Sequence, residues 1–461
     1  MKHSETSLET LVALAKRRGF IFQGSEIYGG LAGTWDYGPY GVLLKNNLKN
    51  LWWKHFVTER DNMYGLDTAI LMNSRVWEAS GHTGAGFADP LVEDLKTNKR
   101  YRADHLLEEA GVEDVAKLTM EQMSAKIKEL KLKSPEGNEL SEARTFNLMF
   151  STQAGPIEDT AAKVYLRPET AQGMFVNFKN VVDSIHPKLP FGLAQIGKNF
   201  RNEITPRDFI FRVRELEIME YEYFIDPAEW EKTFDELAQR SRDWFTRIGL
   251  ELTDIHELDV PAADRAHYSK KSVDFEYKYP IGTKEIGAVA YRTDFDLKNH
   301  TENSGQDLSY LTADGKKFIP HVIEPTFGLD RHVLAVMTAA YEEEKVGEND
   351  TRVVLHFKPE LAPVKIAVSP LLRNKPELVE KAQAVYRTLK KEFGAVMYDD
   401  NGNIGKRYRR QDEIGTPLCI VVDFDTLEDQ AVTVRHRDTM KQNRVKIDGL
   451  SAELAGQLEA F

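Results

Sequence analysis

The sequence predicts an α+β domain, an antiparallel sheet with flanking helices, followed by a smaller α/β domain. Three observations carry this. Extended runs come in neighbouring pairs joined by short turns, residues 191–202 with 211–225 and residues 272–279 with 284–292. A further extended run, 316–324, meets Pro325 and leads into one amphipathic helix from Gly328. From residue 364 the pattern changes to alternating strands and helices. No Gly-x-Gly-x-x-Gly and no Gly-x-x-x-x-Gly-Lys-[Ser/Thr] occurs, so a nucleotide would not be held by a Rossmann turn or a P-loop.

With 461 residues the chain is long enough for two or three domains. We divide it into residues 1–360, with an insertion at about 80–151, and residues 361–461. The single cysteine, Cys419, allows no internal disulfide and no cysteine metal cluster, and its apolar neighbours suggest a buried thiol. No apolar run is long enough for a membrane span, and the polar N-terminus has no signal-peptide core, so a cytoplasmic protein is expected. The net charge of −12 argues against indiscriminate nucleic-acid binding. Residues 361–461 hold 16 basic and 15 acidic residues, so the acidity belongs to the first three-quarters of the chain.

Taken in order, Ser4 and Ser7 are candidate caps for a helix over Leu8–Arg18 that Gly19 ends. The glycine- and aromatic-rich stretch 28–40 precedes a helix to about Thr58. In it Leu44, Leu48, Leu51, Trp52 and Phe56 form one stripe, as a core or an interface would require. Residues 64–72 read as a strand, and 117–140 in the insertion is charged and helical in pattern, with a turn at Ser134-Pro-Glu-Gly-Asn138. Val164–Arg167 is a short strand, and Pro168 then marks a helix start with Glu169 as a first-turn acid. Residues 227–248 form an amphipathic helix. Residues 359–363 read as a linker. Strands then follow at 364–369, 395–398, 418–422 and 431–437, with helices at 377–393 and 404–412.

The hairpin at 191–225 is unusual. Arg201 and Glu203 share one face, and Arg212 and Arg214 share a face with Leu216, Ile218, Glu220 and Glu222. Arginine forks suit phosphate oxygens, and carboxylates suit an ammonium group, so a ligand with one anionic and one cationic end would lie along this face. A solvated face laced with surface ion pairs would give the same composition.

The surrounding stretches go further. Phe200-Arg-Asn-Glu203 resembles motif 2 of the class II aminoacyl-tRNA synthetases, and Glu324-Pro-Thr-Phe-Gly-Leu-Asp-Arg331 resembles motif 3. With Leu166-Arg-Pro-Glu-Thr-Ala-Gln-Gly173 and Arg212-Val-Arg-Glu215, the set is similar to the homodimeric glycyl-tRNA synthetase family over nearly the whole chain. That resemblance implies a class II catalytic domain with motif 1 on the helix after Pro39, and a C-terminal anticodon-binding domain. It implies ATP-dependent attachment of glycine to tRNA(Gly) through glycyl-adenylate, with ATP, Mg2+, glycine and tRNA(Gly) as ligands and a second copy of the chain as partner.

The resemblance also implies roles for particular residues. The catalytic set is Arg201, Glu203 and Arg331. ATP would be met by Arg201, Asn202, Glu203, Phe211, Arg212, Val213, Arg214, Glu215, Leu216, Glu285, Ile286, Gly328, Leu329, Asp330 and Arg331, with Glu285 on Mg2+. Glycine would be met by Arg100, Glu169, Leu216, Glu217, Ile218, Met219, Glu220, Glu324, Pro325, Thr326, Phe327 and Gly328. For Arg100 a solvated basic turn is the competing reading, and for Glu169 a capping charge. Many relatives carry paired cysteines for zinc in the insertion; here Val92–Lys99 has none, so no zinc is expected. Lys406–Arg410 with Arg435–Arg437 would offer RNA a basic patch. Leu216 and Thr326 depart from the more frequent phenylalanine and serine. A synthetase-like accessory protein without catalysis is the alternative, although it would have no need of Arg201, Glu203, Glu285 and Arg331 together.

Overall fold

The computed structural model describes residues 6–84, 87–155, 163–262, 264–266, 268–348 and 350–461. The first helix spans Leu8–Arg18. Ser7 Oγ accepts from the Thr10 N–H at 3.2 Å, and Gly19 closes the helix in the left-handed region at φ 74°. Ser4, the other candidate cap, lies outside the described residues.

The large domain is organised on a seven-stranded sheet. Its order is Ile255–Asp259, Lys271–Tyr279, Gly282–Thr293, His321–Gly328, Glu215–Ile225, Phe191–Phe200 and Met63–Gly65. Only the last pair is parallel. The period of two along Glu215–Ile225 divides its side chains. Met219, Tyr221 and Tyr223 join a core built with the helices Pro39–Trp53, Trp230–Arg247 and Leu329–Ala340. The predicted Leu44–Phe56 stripe is buried in this same core, so it faces the chain's own sheet and not a partner. The other face of the sheet is open near its middle and closed at one end by Phe175, Phe178, Phe191 and Phe224.

Three expectations about strands are corrected. The hairpin strands stop at Phe200 and restart at Glu215, so Arg201, Asn202, Glu203, Arg212 and Arg214 belong to the loop between them. Asp208 and Phe209 both take left-handed backbone, φ 62° and 59°, which a strand cannot absorb. Pro325 does not break its strand, which runs through to Gly328. Proline has no N–H to donate, and the ladder to Glu215–Ile225 lapses there: it pairs Glu220 with Thr326 and resumes at Tyr223 with Ile323. The 64–72 strand is likewise two short ones, Met63–Gly65 and Leu71–Met72.

The insertion folds around its own small core of Val92, Ala103, Leu107, Met123 and Ile127. It holds a three-stranded sheet and the helices Ala103–Glu109 and Met120–Glu129, the latter much shorter than the charged pattern predicts. At its heart the fully buried Asp94 accepts from the Lys96 and Thr97 N–H groups, both at 2.8 Å, from Ser134 Oγ at 2.6 Å and from Asn138 Nδ2 at 2.9 Å. Residues 85 and 86 of this segment lie outside the described residues.

The C-terminal sheet has the order Val396–Tyr398, Ile366–Pro370, Leu418–Val422, Ala431–His436 and Gln442–Lys446, the first three strands parallel and the rest antiparallel. Burial raises the Cys419 thiol to about 12, so it is no nucleophile. The expected linker is not a free tether. Leu361 and Ala362 are fully buried in the large core, and Asn47 Nδ2 donates to both their carbonyls at 3.1 Å. Buried Arg352 reaches Asp412 at 3.2 Å and the Arg437 carbonyl at 2.8 Å, while Arg437 donates to the Phe357 and Gly415 carbonyls at 2.8 and 2.9 Å.

The expected RNA patch is corrected by the same geometry. Arg407 donates to the carbonyls of Pro370, Asp400 and Gly402, Arg410 grips Asp399, and Arg435 grips Asp412 while lying over the Tyr408 ring. Arg407, Arg410 and Arg435 are thus spent inside the domain, while Lys406 stays exposed.

Candidate active site

Two adjoining clefts open on the free face of the sheet. One, of about 340 Å³, is lined by Arg201, Glu203, Phe211, Arg212, Glu285 and Arg331 among others. The second, of about 320 Å³, is lined by Glu169, Glu220, Tyr268, Asp274 and Glu324 among others. Arg201, Ile218, Glu285 and Thr326 line both, so the two are one continuous trough. Its first end gathers Arg102, Arg201, Arg212 and Arg331 among acids, and its second is mainly anionic, so the arginines cluster at one end as the sequence implies.

At the arginine end Arg201 Nε donates to the Pro168 carbonyl at 3.2 Å, which aims the rest of the guanidinium into the trough. Arg331, in the first turn of the Leu329–Ala340 helix, lies over the Phe211 ring at 4.4 Å and meets Glu285 at 3.2 Å. A flat slot beside an arginine and an aromatic ring suits a purine. Arg102 also lines this end, ion-paired to Asp89 at 2.8 Å.

At the anionic end local geometry brings the carboxylates together. A Cβ on Gly197 would stand 2.3 Å from the Arg167 guanidinium and 2.9 Å from Thr170, so only glycine lets the 167–170 turn lie on the sheet. That turn delivers the Thr170 N–H to Glu220 at 2.8 Å, with the Thr170 hydroxyl donating to the same oxygen. The Thr326 hydroxyl donates to the other oxygen at 2.8 Å. Glu324 receives both its contacts from Arg292 Nη1, at 2.9 and 3.0 Å, and Arg292 grips Asp296 at 2.8 and 2.9 Å. Glu169 contacts His82 at 3.2 Å and Gln172 at 2.9 Å.

These surroundings set the charges. Burial would raise Glu169, but His82, Arg292 and Gln172 outweigh it and hold the group below the ordinary carboxylate range. Burial raises Glu220, and the nearby Glu169 adds to this. Burial and the charges of Glu220 and Glu169 push Glu324 up to about 8 despite Arg292. Nearer the join, burial with Glu285 and Glu276 lifts Asp274 to about 6. A crowded pair of oxygen donors of this kind is the environment a hard divalent cation relieves, so Glu285 and Asp274 fit Mg2+.

Several expected site residues stand elsewhere. Ile286, Leu329, Met219 and Phe327 send their side chains into the hydrophobic core, because strand and helix periodicity turns them from the trough. Glu217 and Asp330 do line the first cleft, but their carboxylates are committed within the chain: Glu217 is held by Lys45 at 2.8 Å and Lys49 at 2.7 Å, and Asp330 accepts from the Glu217 N–H at 2.9 Å and from the Tyr37 hydroxyl at 2.5 Å. Arg214 donates to the Glu203 and Ala32 carbonyls, so it braces the loop. Glu215 pairs with Lys198, and Pro325 is a buried strand residue opposite Val289. Arg100 is exposed and paired with Glu93 at 3.1 Å; Arg102, two residues on, takes the trough. Glu169 is no capping charge, since its helix begins at Ala171. Asn202, Val213, Leu216 and Gly328 stay in the loop or along the trough wall. Sequence reasoning missed Arg292, Asp296, His82 and Tyr268. The available signal was an arginine in an otherwise apolar strand, 286–291, since a buried arginine requires carboxylate partners.

Comparison with known proteins agrees with this geometry. Residues 150–341 match the tRNA synthetase class II core domain (G, H, P, S and T), and residues 365–457 match the anticodon binding domain. Over 456 residues the chain is 51% identical to a glycine–tRNA ligase of Geobacillus kaustophilus, covering 97% of this chain and 98% of the relative. It is 50% identical over 467 residues to that of Clostridium acetobutylicum and 49% over 464 residues to that of Alkaliphilus oremlandii, covering 99% of both chains in each case.

Proposed function

The chain belongs to the class II aminoacyl-tRNA synthetases as a glycine–tRNA ligase, and from that premise we propose how its residues divide the reaction. The enzyme attaches glycine to tRNA, with ATP as the other substrate. The accessory-protein alternative finds no support. In our reading glycine lies with its ammonium among Glu169, Glu220 and Glu324 and its carboxylate toward Arg201. ATP lies with its adenine against the Arg331–Phe211 pair and its α-phosphate at the join of the clefts. The carboxylate attacks the α-phosphate in line, giving glycyl-adenylate and pyrophosphate, and the glycyl group then passes to the terminal ribose of tRNA.

Little covalent work falls on the protein, so position and charge neutralisation carry the catalysis. Arg201 holds two anions that repel each other. Glu203 accepts from the adenine amino group. Arg331 steadies the nucleotide, and Glu285 with Asp274 would hold Mg2+, which supplies further neutralisation of phosphate charge. Thr326 fixes the Glu220 rotamer through its hydroxyl, and its bulk beside the α-carbon leaves no room for a side chain. A pocket that only disfavoured a methylene would discriminate by about 1–3 kcal/mol; a rigid ring of bonded carboxylates excludes it more strongly.

Pairing of two copies belongs to this proposal. Ile27, Tyr28, Leu31, Val42 and Leu43 expose apolar surface around the start of the Pro39–Trp53 helix, and light scattering at the mass of two chains is the check. The observation that supports the whole reading is the continuity of the trough at Arg201, which we read as an anion-binding fork between a purine site and an ammonium pocket. The test is amino-acid-dependent exchange of pyrophosphate into ATP across the twenty amino acids. Glycine alone should support it, and exchange driven equally by alanine or serine would overturn the pocket assignment.

A further inference from the structure

Glu222 lies two residues beyond Glu220 on the same face of its strand. It is fully buried, and neither of its carboxylate oxygens has a hydrogen-bond partner among the described residues. Beyond it the face turns apolar, with Phe224 packed on Phe178 and Phe191. One oxygen from each of Glu220, Glu222 and Glu324 lies within 4.8 Å of the others.

The groups that face Glu222 come from every neighbouring element. Glu220 is on its own strand, Glu324 on His321–Gly328, Arg292 on Gly282–Thr293, and Asp296 on the Phe295–Ser304 helix. Arg292 is the only cation in that set, and its contacts are committed to Glu324 and Asp296. An ionised carboxylate left buried among three acids and apolar rings is too costly, and such a group keeps its proton instead. Burial, with the charges of Glu324 and Glu220, raises Glu222 well above the ordinary carboxylate range.

We propose that Glu222 is a positioning residue of the glycine pocket, held uncharged beneath it by a proton that it exchanges with Glu324, and that arrival of the substrate's ammonium releases this proton to solvent. The proposal rests on the glycine placement given above. Without ligand the pocket needs the proton to limit its negative charge. The ammonium supplies that positive charge directly, so the proton becomes dispensable. No bond other than O–H is broken, and the proton leaves to buffer. The consequence is a pH-dependent glycine affinity, with free protein and bound complex differing by one proton.

The experiment is calorimetric titration of glycine into the full-length protein at pH 7 in two buffers of different ionisation enthalpy. Release of about one proton per glycine is expected, and affinity should rise about tenfold per pH unit over the range below about 8, where Glu324 titrates. In Glu222→Gln the release and the pH slope should disappear, while the KM for ATP stays unchanged. Glycine binding to the wild-type protein without proton release overturns the proposal, whatever the variant does. A Glu222→Gln protein that folds and retains the full pH slope overturns it as well. Absence of glycine binding, or exchange driven by another amino acid, would instead sink the functional assignment on which the proposal rests.

Discussion

Asp94 and Glu222 are both fully buried acids in one chain, and they do opposite things. Asp94 is surrounded by four donors, two from backbone and two from side chains, and ties the insertion together. Among the described residues Glu222 has no donor, and it sits among other acids. The arginines repeat the contrast. Arg437 has its fork filled by two main-chain carbonyls and the Asp438 carboxylate, whereas Arg201 spends one N–H on Pro168 and turns the rest to the trough. A buried charge closed by its own chain builds structure. One left open is a place where a ligand completes the structure.

The contrast can be broken at several points. The largest effect should come from a closed charge. Asp412→Ala strands buried Arg435 and takes one partner from Arg352, and should cost about 3–5 kcal/mol of stability in denaturant melts, with pyrophosphate exchange per folded molecule unchanged. Next is an open one. Arg201→Ala should lower exchange by about 10²–10³-fold and leave the melt alone. Near-normal exchange in that folded variant removes Arg201 from its role. Glu220→Gln should raise the KM for glycine by about 10–100-fold, the worth of one charged hydrogen bond, and leave that for ATP in place. An equal rise for both substrates would mean that Glu220 shapes the sheet and not the pocket.

Two smaller effects sharpen the comparison through pH. Burial alone would raise Asp94, but Ser134, Asn138 and the Thr97 and Lys96 amides outweigh it and hold it below the ordinary carboxylate range. Its stabilisation is therefore present above that range and fades only as pH falls through the lowered value. Asp94→Asn should weaken protection of the insertion in hydrogen exchange at neutral pH and make little difference in strong acid. Glu324 has the opposite sign. Its raised value favours the fold at low pH, and that advantage is lost progressively up to about 8. The ligand-free protein should soften slightly over this window, and saturating glycine should flatten the trend in melts taken at each pH.

Much of the site is legible in the sequence because its chemistry is local. Arg201 and Glu203, Arg331, and the Glu169 and Glu220 carboxylates are written into short stretches whose spacing survives folding. Arg292 escaped because its meaning comes from Glu324 on an adjacent strand and from Asp296 on a helix, and no linear pattern records that meeting. Arg407 and Arg435 misled for the complementary reason. A run of cations carries no mark of whether carbonyls and Asp412 wait inside. Pro325 was read as a strand end by its lack of an N–H, yet a lapse in one ladder accommodates it. The core helices and sheet strands were largely visible, since periodicity and burial report the same fact.

The docked connector at Leu361 and Ala362 has a consequence for how a long substrate is inspected. Arg352, Arg437 and Asn47 lock the anticodon-binding-like domain onto the catalytic one, so the span between the two is a fixed length and not a leash. A tRNA that touches both must match that length as well as display the right bases. On this geometry a nucleic acid of the wrong reach should be rejected before any base is read, as a calliper would reject it, and that is an expectation for tRNAs of altered length.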